Sequence, residues 1–338
     1  MTIWIDLANS PHVTFMRPFI KRFEKDGVPV VITARDYGNT IELLQQERWI
    51  FREVGGHGGK KTLSKMLSFV DRLRLLQRVL REVGPKVSFS QSSFYSPMVA
   101  SSLRIPFVYT NDNEHAKGNL TARLPGGVAI YPDAFRDSKQ ARFFVGDNSA
   151  FYQGVKEAIY LSQSSRVSPS SSGEKVYFYR PEPWLAQYHE PRPEFSLTII
   201  AALREIGEVK VIARDAAQRK YYSSALEGQR NVEILQTVVS LDDIVSTGAA
   251  FIGSGGTMCR ELALLGVPTV SLYSGKLLAV DLELIKRGLL LHTQDAAELQ
   301  MFLEDPSVKR RNREVAQELL GYGATTFEMF CERIYGFL

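Results

Sequence analysis

Cysteine is scarce: the 338 residues hold two, Cys259 and Cys331, far apart, so neither a disulfide framework nor a Cys/His zinc spacing can be drawn. A reducing, intracellular setting is the expectation. Long apolar runs are missing too. No stretch reaches the roughly 18 residues of a membrane-spanning helix. The opening Met1-Thr2-Ile3-Trp4-Ile5-Asp6 lacks the basic start and apolar core of a secretory leader. A cytoplasmic protein is expected, with peripheral contact to a membrane surface left open. Charge of one sign is also in short supply. A formal net charge of +4 tolerates anionic ligands but falls short of the clustered basic surface of a nucleic-acid binder, so no nucleic-acid partner is expected. Three signatures are absent as well. No Gly-x-Gly-x-x-Gly follows the first strand, which argues against a dehydrogenase. No Gly-x-Ser-x-Gly elbow makes Ser10 and His12 part of a hydrolase triad. No Asp-x-Asp motif offers a paired-carboxylate metal site.

What is present is an ordinary globular composition, 44% hydrophobic and 23% charged, in a chain too long for one core. Apolar runs of strand length alternate with helix-period segments almost throughout, which predicts βαβ units and parallel sheets. In the first half the strands are read at 3–7, 28–33, 86–90, 107–110 and 128–131. Ser10 is read as the N-cap and Pro11 as the first-turn proline of the first helix, and Leu63, Met66, Leu67, Val70, Leu73 and Leu80 outline a long amphipathic one. In the second half strands are read at 175–179, 209–213, 232–235, 250–253 and 269–272. The Ser-rich stretch 164–174 reads as the linker. The expected organisation is thus a lobe at 1–163, a linker at 164–174 and a second lobe at 175–324. A last helix at 325–338, with Phe327, Phe330, Ile334 and Phe337 on one stripe, is free to pack back on the first lobe.

The segment richest in chemistry runs from Phe251 to Pro268: a strand, then Ser254-Gly255-Gly256, then a helix opening at Thr257 and a Gly-x-Pro stop. Adjacent glycines let a ligand reach the backbone, and the helix start turns unpaired N–H groups and a positive dipole end toward it. That environment suits a diphosphate, with Glu261 one turn on to receive ribose hydroxyls. A tight turn with a surface glutamate is the plainer alternative. Arg180, at the end of the second lobe's first strand, can pair with phosphate oxygens. Arg214-Asp215 can simply cap a helix.

In the first lobe, Asn9-Ser10-Pro11-His12 leaves the first strand at its carboxyl end, where ligands collect in open α/β sheets. His12 is either a general base or a helix-capping residue. Asn111-Asp112-Asn113-Glu114-His115 gathers carboxylates and an imidazole at another strand end. Its readings are acid/base work or acceptor binding (Asp112, Glu114, His115), a solvated turn, or, with too few ligands marked, a metal site. His57 and Lys60, in His57-Gly58-Gly59-Lys60-Lys61, either hold an anionic acceptor or belong to a solvated loop. Trp184, Tyr188 and His189 read as core or hinge packing.

The Ser-Gly-Gly segment resembles the donor-binding signature of GT-B glycosyltransferases, including the N-acetylglucosaminyltransferase of peptidoglycan synthesis. It is also similar to the Ser-Gly-Gly region of UDP-N-acetylglucosamine 2-epimerases. The whole chain resembles domain of unknown function family 354, an archaeal and bacterial family described as predicted glycosyltransferases. The residues that carry this are Trp4 to His12, Ile32 to Asp36, Arg180-Pro181-Glu182-Pro183 and the Ser-Gly-Gly segment. The resemblance implies a GT-B-like fold, two Rossmann-type doubly wound lobes facing a central cleft. It implies sugar transfer from a nucleoside-diphosphate sugar, UDP-linked by analogy, to a glycan, lipid-linked or small-molecule acceptor, with no cofactor and no metal. The donor would meet Arg180, Ser254, Gly255, Gly256, Thr257 and Glu261. The acceptor would meet Asn9, His57, Lys60 and Asp112, with His12, Glu114 or His115 as the base. The first-lobe loop lacks the glycine-rich form usual in GT-B enzymes. An epimerase or hydrolase, or a non-catalytic nucleotide-sugar binder, remains the alternative.

Overall fold

A computed structural model of the chain describes residues 1–56, 62–164, 175–184 and 191–338, with residues 62–66 described by their backbone alone. The chain divides into two compact units, residues 1–163 with 322–338, and residues 164–321.

Unit 1 is built on seven strands: β1 (Ile3–Leu7), β2 (Val30–Ala34), β3 (Phe51–Glu53), β4 (Val87–Gln91), β5 (Phe107–Thr110), β6 (Gly127–Pro132) and β7 (Ser149–Tyr152). All pair in parallel, in the order β3-β2-β1-β4-β5-β6-β7. Its helices are α1 (Ser10–Lys25), α2 (Thr40–Gln46), α3 (Thr62–Val83), α4 (Tyr95–Ser102) and α5 (Lys156–Leu161). Parallel strands sandwiched between helices are buried on both faces, so β1, β4 and β5 carry no exposed position.

Unit 2 has six parallel strands, β8 (Val176–Arg180), β9 (Glu208–Val211), β10 (Val232–Ile234), β11 (Ala250–Gly253), β12 (Thr269–Ser271) and β13 (Leu290–His292). Their order is β10-β9-β8-β11-β12-β13. Around them lie α6 (Pro193–Ile206), α7 (Ala216–Ala225), α8 (Leu241–Thr247), α9 (Thr257–Leu264), α10 (Ala279–Lys286) and α11 (Ala296–Glu304). Tyr177, Tyr179, Ile199, Leu203, Val211, Tyr222, Ile252 and Leu299 fill its core. Both sheets reverse direction beside their first strand, between β1 and β4 and between β8 and β11. In doubly wound sheets that reversal opens a crevice beyond the carboxyl ends of the two strands, and ligands bind there.

The chain closes with α12 (Ser307–Tyr335), one helix whose residues from Tyr322 onward belong to unit 1. Phe327 meets Phe19 at 4.7 Å between ring centres, Phe330 meets Phe89 at 5.7 Å, and Tyr335 meets Phe23 at 5.7 Å. Gly323 allows the contact with α5: a Cβ there would lie 2.2 Å from the Ala158 carbonyl oxygen, so no side chain fits. Arg22 adds a hydrogen bond to Glu328 at 2.9 Å.

Four details differ from the sequence reading. The strands β3, β7 and β13 were not foreseen, and all three are sheet edges of 3 or 4 residues. Asn9, not Ser10, caps α1, its side chain accepting the Ser10 N–H at 2.9 Å. Leu67 and Val70 are exposed, 59% and 41%, while Arg72 of the same helix is buried at 1%. The final helix starts at Ser307 rather than near 325.

Candidate functional site

In unit 2 the carboxyl ends of β8 and β11 deliver Arg180 and Ser254 to the switch point, with Arg180 in register beside Gly253. The turn beyond β11 is possible because Gly255 and Gly256 both take left-handed backbone angles, φ +74° and +85°, which L side chains rarely adopt. A Cβ on Gly255 would press on Tyr273 at 3.0 Å, whereas nothing lies within 4 Å of the Cβ position at Gly256. The backbone over Gly256 is open to a ligand. Gly256 is also the N-cap of α9, and no side chain caps the helix. The first-turn N–H groups and the positive end of the dipole are left for an external acceptor. Beneath the turn lies Cys259, whose thiol burial pushes up to about 12, which makes it packing rather than a nucleophile.

Arg180 completes the anion-seeking character of this end. Its Nη1 meets the Met258 sulfur, a weak acceptor, at 3.2 Å, and its buried Nε has no hydrogen-bond partner among the described residues. Burial pulls its pKa down, opposed by Cys259 and Glu261, so its charge is incompletely compensated within the protein. Glu261 is 8% exposed, inside α9. The loop after β8 is fixed from below. Arg192 grips Glu182 with two N–H groups at 3.1 and 3.2 Å, Arg214 bonds the Pro181 carbonyl at 2.7 Å, and Gln218 bonds the Glu182 carbonyl at 2.7 Å. Asp215 caps α7, accepting from the Gln218 N–H at 2.8 Å.

In unit 1 the switch point carries two buried ion pairs, Asp6 with Arg72 and Asp112 with Lys156. Asp6 on β1 is fully buried and receives the Arg72 fork at 2.8 and 3.0 Å, with Thr33 and Ser93 as further donors. Burial alone would raise its pKa, but Arg72 and the two hydroxyls hold it below the usual carboxylate value. Arg72 also donates to the Val54 carbonyl at 2.9 Å and stacks on Tyr95 at 4.3 Å. Beyond β5, Asp112 is bonded to Lys156 at 2.5 Å, and Glu157 approaches the same ammonium at 3.5 Å. Gln91, at the end of β4, donates to the Ser92 hydroxyl at 2.7 Å and reaches Asp112 at 3.4 Å. Ser92 sits at φ +55°, a conformation costly for a non-glycine residue.

His12 lies in the first turn of α1 and is 5% exposed. Its Nδ1 accepts the Ala8 backbone N–H at 3.3 Å. Burial, reinforced by Lys156 and opposed by Asp6 and Asp112, brings its pKa down to about 4, so the ring is neutral near pH 7. The segment from Asn111 to His115 folds on itself. Asn111 Oδ1 accepts the Asn113 N–H at 3.1 Å, and Asn113 Oδ1 accepts the His115 N–H at 2.9 Å. Glu114 is buried, with Oε1 3.6 Å from His115 Nε2.

The structure therefore gathers Arg180, Ser254, Gly255, Gly256 and Thr257 at one switch point, with Glu261 in the same helix. Asn9 and His12 stand at the other, and the electrostatic reach of Asp112 to His12 ties the β5 turn to them. Asn9 is exposed and serves as a helix cap. His57, Lys60, Tyr188, His189 and linker residues 165–174 lie outside the described residues. Sequence reasoning passed over Arg72, Gln91 and Lys156, buried polar residues with partners distant in sequence, and the partly exposed Arg192, which holds Glu182. Among the described residues no three His, Cys, Asp or Glu side chains converge as a metal set, and no helix is long and apolar enough to cross a membrane.

Comparison with known proteins shows the family and the fold. A family model described as Protein of unknown function (DUF354) matches residues 1–335. A curated relative, Uncharacterized protein MJ0665 of Methanocaldococcus jannaschii, is 30% identical over 326 residues, covering 92% of this chain and 93% of its own. The glycotransferase of kitacinnamycin superposes with a TM-score of 0.70 at 14% identity, covering 98% of this chain and 99% of that one. UDP-GlcNAc 2-epimerase from Neisseria meningitidis, solved with UDP-GlcNAc bound, gives 0.65 at 13% identity, covering 99% and 100%. Likeness at that identity shows the fold, which is GT-B-like.

Proposed function

We propose that this chain, which belongs to the DUF354 family, is a GT-B-type glycosyltransferase that takes a sugar from a nucleoside-diphosphate sugar. Unit 2 is the donor site. Ser254, Gly255, Gly256 and Thr257 surround the diphosphate with backbone N–H groups, Arg180 meets its oxygens, and Glu261 accepts from the ribose hydroxyls. Unit 1 carries the acceptor and its chemistry, through Asn9, His12, Asp112, Glu114 and His115, together with His57 and Lys60. UDP is the favoured nucleotide, since a structural neighbour is solved with UDP-GlcNAc. The leaving diphosphate gathers charge as the glycosidic bond breaks, and the α9 dipole with Arg180 stabilises that charge without a metal. The acceptor is a glycan, a lipid-linked sugar or a small molecule.

The observation that carries this reading is the open, uncapped α9 N-terminus beside an incompletely paired Arg180. Two arrangements that each favour an anion occupy one strand-end pair. Calorimetry with UDP, UMP and uridine tests it. Affinity should rise with each phosphate, UDP exceeding uridine by at least about tenfold. Equal affinity for uridine and UDP, or none for UDP, overturns the donor site.

A second reading is epimerisation or hydrolysis of the same nucleotide sugar, which the epimerase likeness supports. Product analysis separates the two, because an epimerase converts UDP-GlcNAc with no acceptor present.

A further inference from the structure

We propose that His12 serves the bound ligand as a neutral hydrogen-bond donor through its Nε2–H, and not as the general base. This rests on the reading that unit 1 carries the acceptor chemistry.

The argument starts from one bond. A backbone N–H can only donate, so the Nδ1 that receives the Ala8 N–H must present a lone pair. A neutral imidazole holds one proton, which is therefore on Nε2. To act as a base through Nε2, the ring would first have to move that proton to Nδ1. Two N–H groups would then face each other across 3.3 Å. The doubly protonated ring meets the same clash and adds charge to a position 5% exposed. It would also stand in the field of Lys156 from α5 and Arg72 from α3, with Asp6 of β1 and Asp112 after β5 opposing them. The first-turn amides of α1 add positive potential at the same place.

Nε2–H has no partner among the described residues, whereas Nδ1 is occupied. The ring is held by its accepting side with its donating side free. That arrangement fits an oxygen acceptor on the ligand: a hydroxyl, a carbonyl or a phosphoryl oxygen. His12 polarises or orients that oxygen and takes no proton from it, which leaves the base to another group of unit 1.

Long-range proton–nitrogen NMR on the full chain with nitrogen-labelled histidine reads the tautomer without any substrate. The His12 resonances are assigned by their loss in His12→Gln. Nδ1 should be unprotonated and Nε2 protonated throughout about pH 6 to pH 8. A proton on Nδ1, or titration of the ring within that range, overturns the proposal. A second readout uses UDP-N-acetylglucosamine as the probe. Gln places an amide N–H near the Nε2 position and cannot act as a base, so His12→Gln should keep about a third or more of the wild-type turnover. His12→Ala should lose about ten- to a hundredfold. Equal loss in both variants contradicts the donor role. Because UDP-N-acetylglucosamine is offered here without an acceptor, turnover reads its hydrolysis or epimerisation; absence of turnover in the wild type counts against that second reading, while the NMR result decides the proton's position independently.

Discussion

The two units share a strand order at their switch points yet treat charge there in opposite ways. In unit 1 Asp6 is locked to Arg72 and Asp112 to Lys156, so these two carboxylates have cationic partners inside the protein. In unit 2 the α9 N-terminus is uncapped, and Arg180 has a buried Nε without a hydrogen bond. A buried pair is expensive to break because removing one partner strands the other; an unmatched charge costs stability until a counter-charge arrives. Unit 1 thus keeps these charges paired internally, whereas unit 2 presents positive potential at its switch point. The same fold yields both because the switch point is set by topology, whereas its polarity is set by a few strand-end residues.

The sharpest way to break this contrast is to unmatch unit 1. Asp6→Ala strands the Arg72 guanidinium, 1% exposed, and should lower stability by about 3–5 kcal/mol, read from urea unfolding. A loss under about 1 kcal/mol would mean that the pair is not the internal anchor described.

His12 gives the next largest effect. Its folded pKa of about 4 lies below the unfolded value of 6.5, so between these pH values the unfolded chain binds the extra proton. Stability therefore rises with pH across that window and is lost as pH falls, by up to about 3 kcal/mol for this group. His12→Gln should flatten the slope. A variant as acid-sensitive as the wild type would assign the slope elsewhere.

Gly256→Ala should act more weakly, and in unit 2. Its φ of +85° with ψ −173° is a conformation essentially confined to glycine and costs an L residue about 1–3 kcal/mol, and nothing else lies within 4 Å of the added Cβ. UDP binding should fall with it, because the added methyl stands over the open backbone. Unchanged affinity would move the ligand away from this turn.

These tests fall on residues that were unequally visible in the sequence. The alternation of strands and helices was legible because parallel strands buried on both faces are continuous apolar runs, as in Trp4-Ile5 and Phe251-Ile252. The edge strand β3 was not, since Phe51-Arg52-Glu53 holds a single apolar residue. The Ser-Gly-Gly turn stood out because adjacent glycines before a helix are a local signal. Arg72 did not: helical periodicity put Leu67 and Val70 on the buried stripe of α3. An ion pair with a residue 66 positions away turned Arg72 inward instead. Lys156 was hidden for the same reason, its partner Asp112 lying 44 positions back. Local chemistry can be read along a chain; a matched pair exists only once the chain has folded.

The most direct test of the account is to titrate UDP into the wild type and Arg180→Ala by calorimetry while following the unfolding midpoint of both. Removal of a charge-assisted contact to the diphosphate should weaken UDP by about ten- to a hundredfold, on the order of 1.5–3 kcal/mol. Stability without ligand should hold or rise, because a partly buried and incompletely paired charge is gone. Equal UDP affinity in the two proteins, or a variant that loses stability and not affinity, would contradict the claim that unit 2 is charged in readiness for an anion.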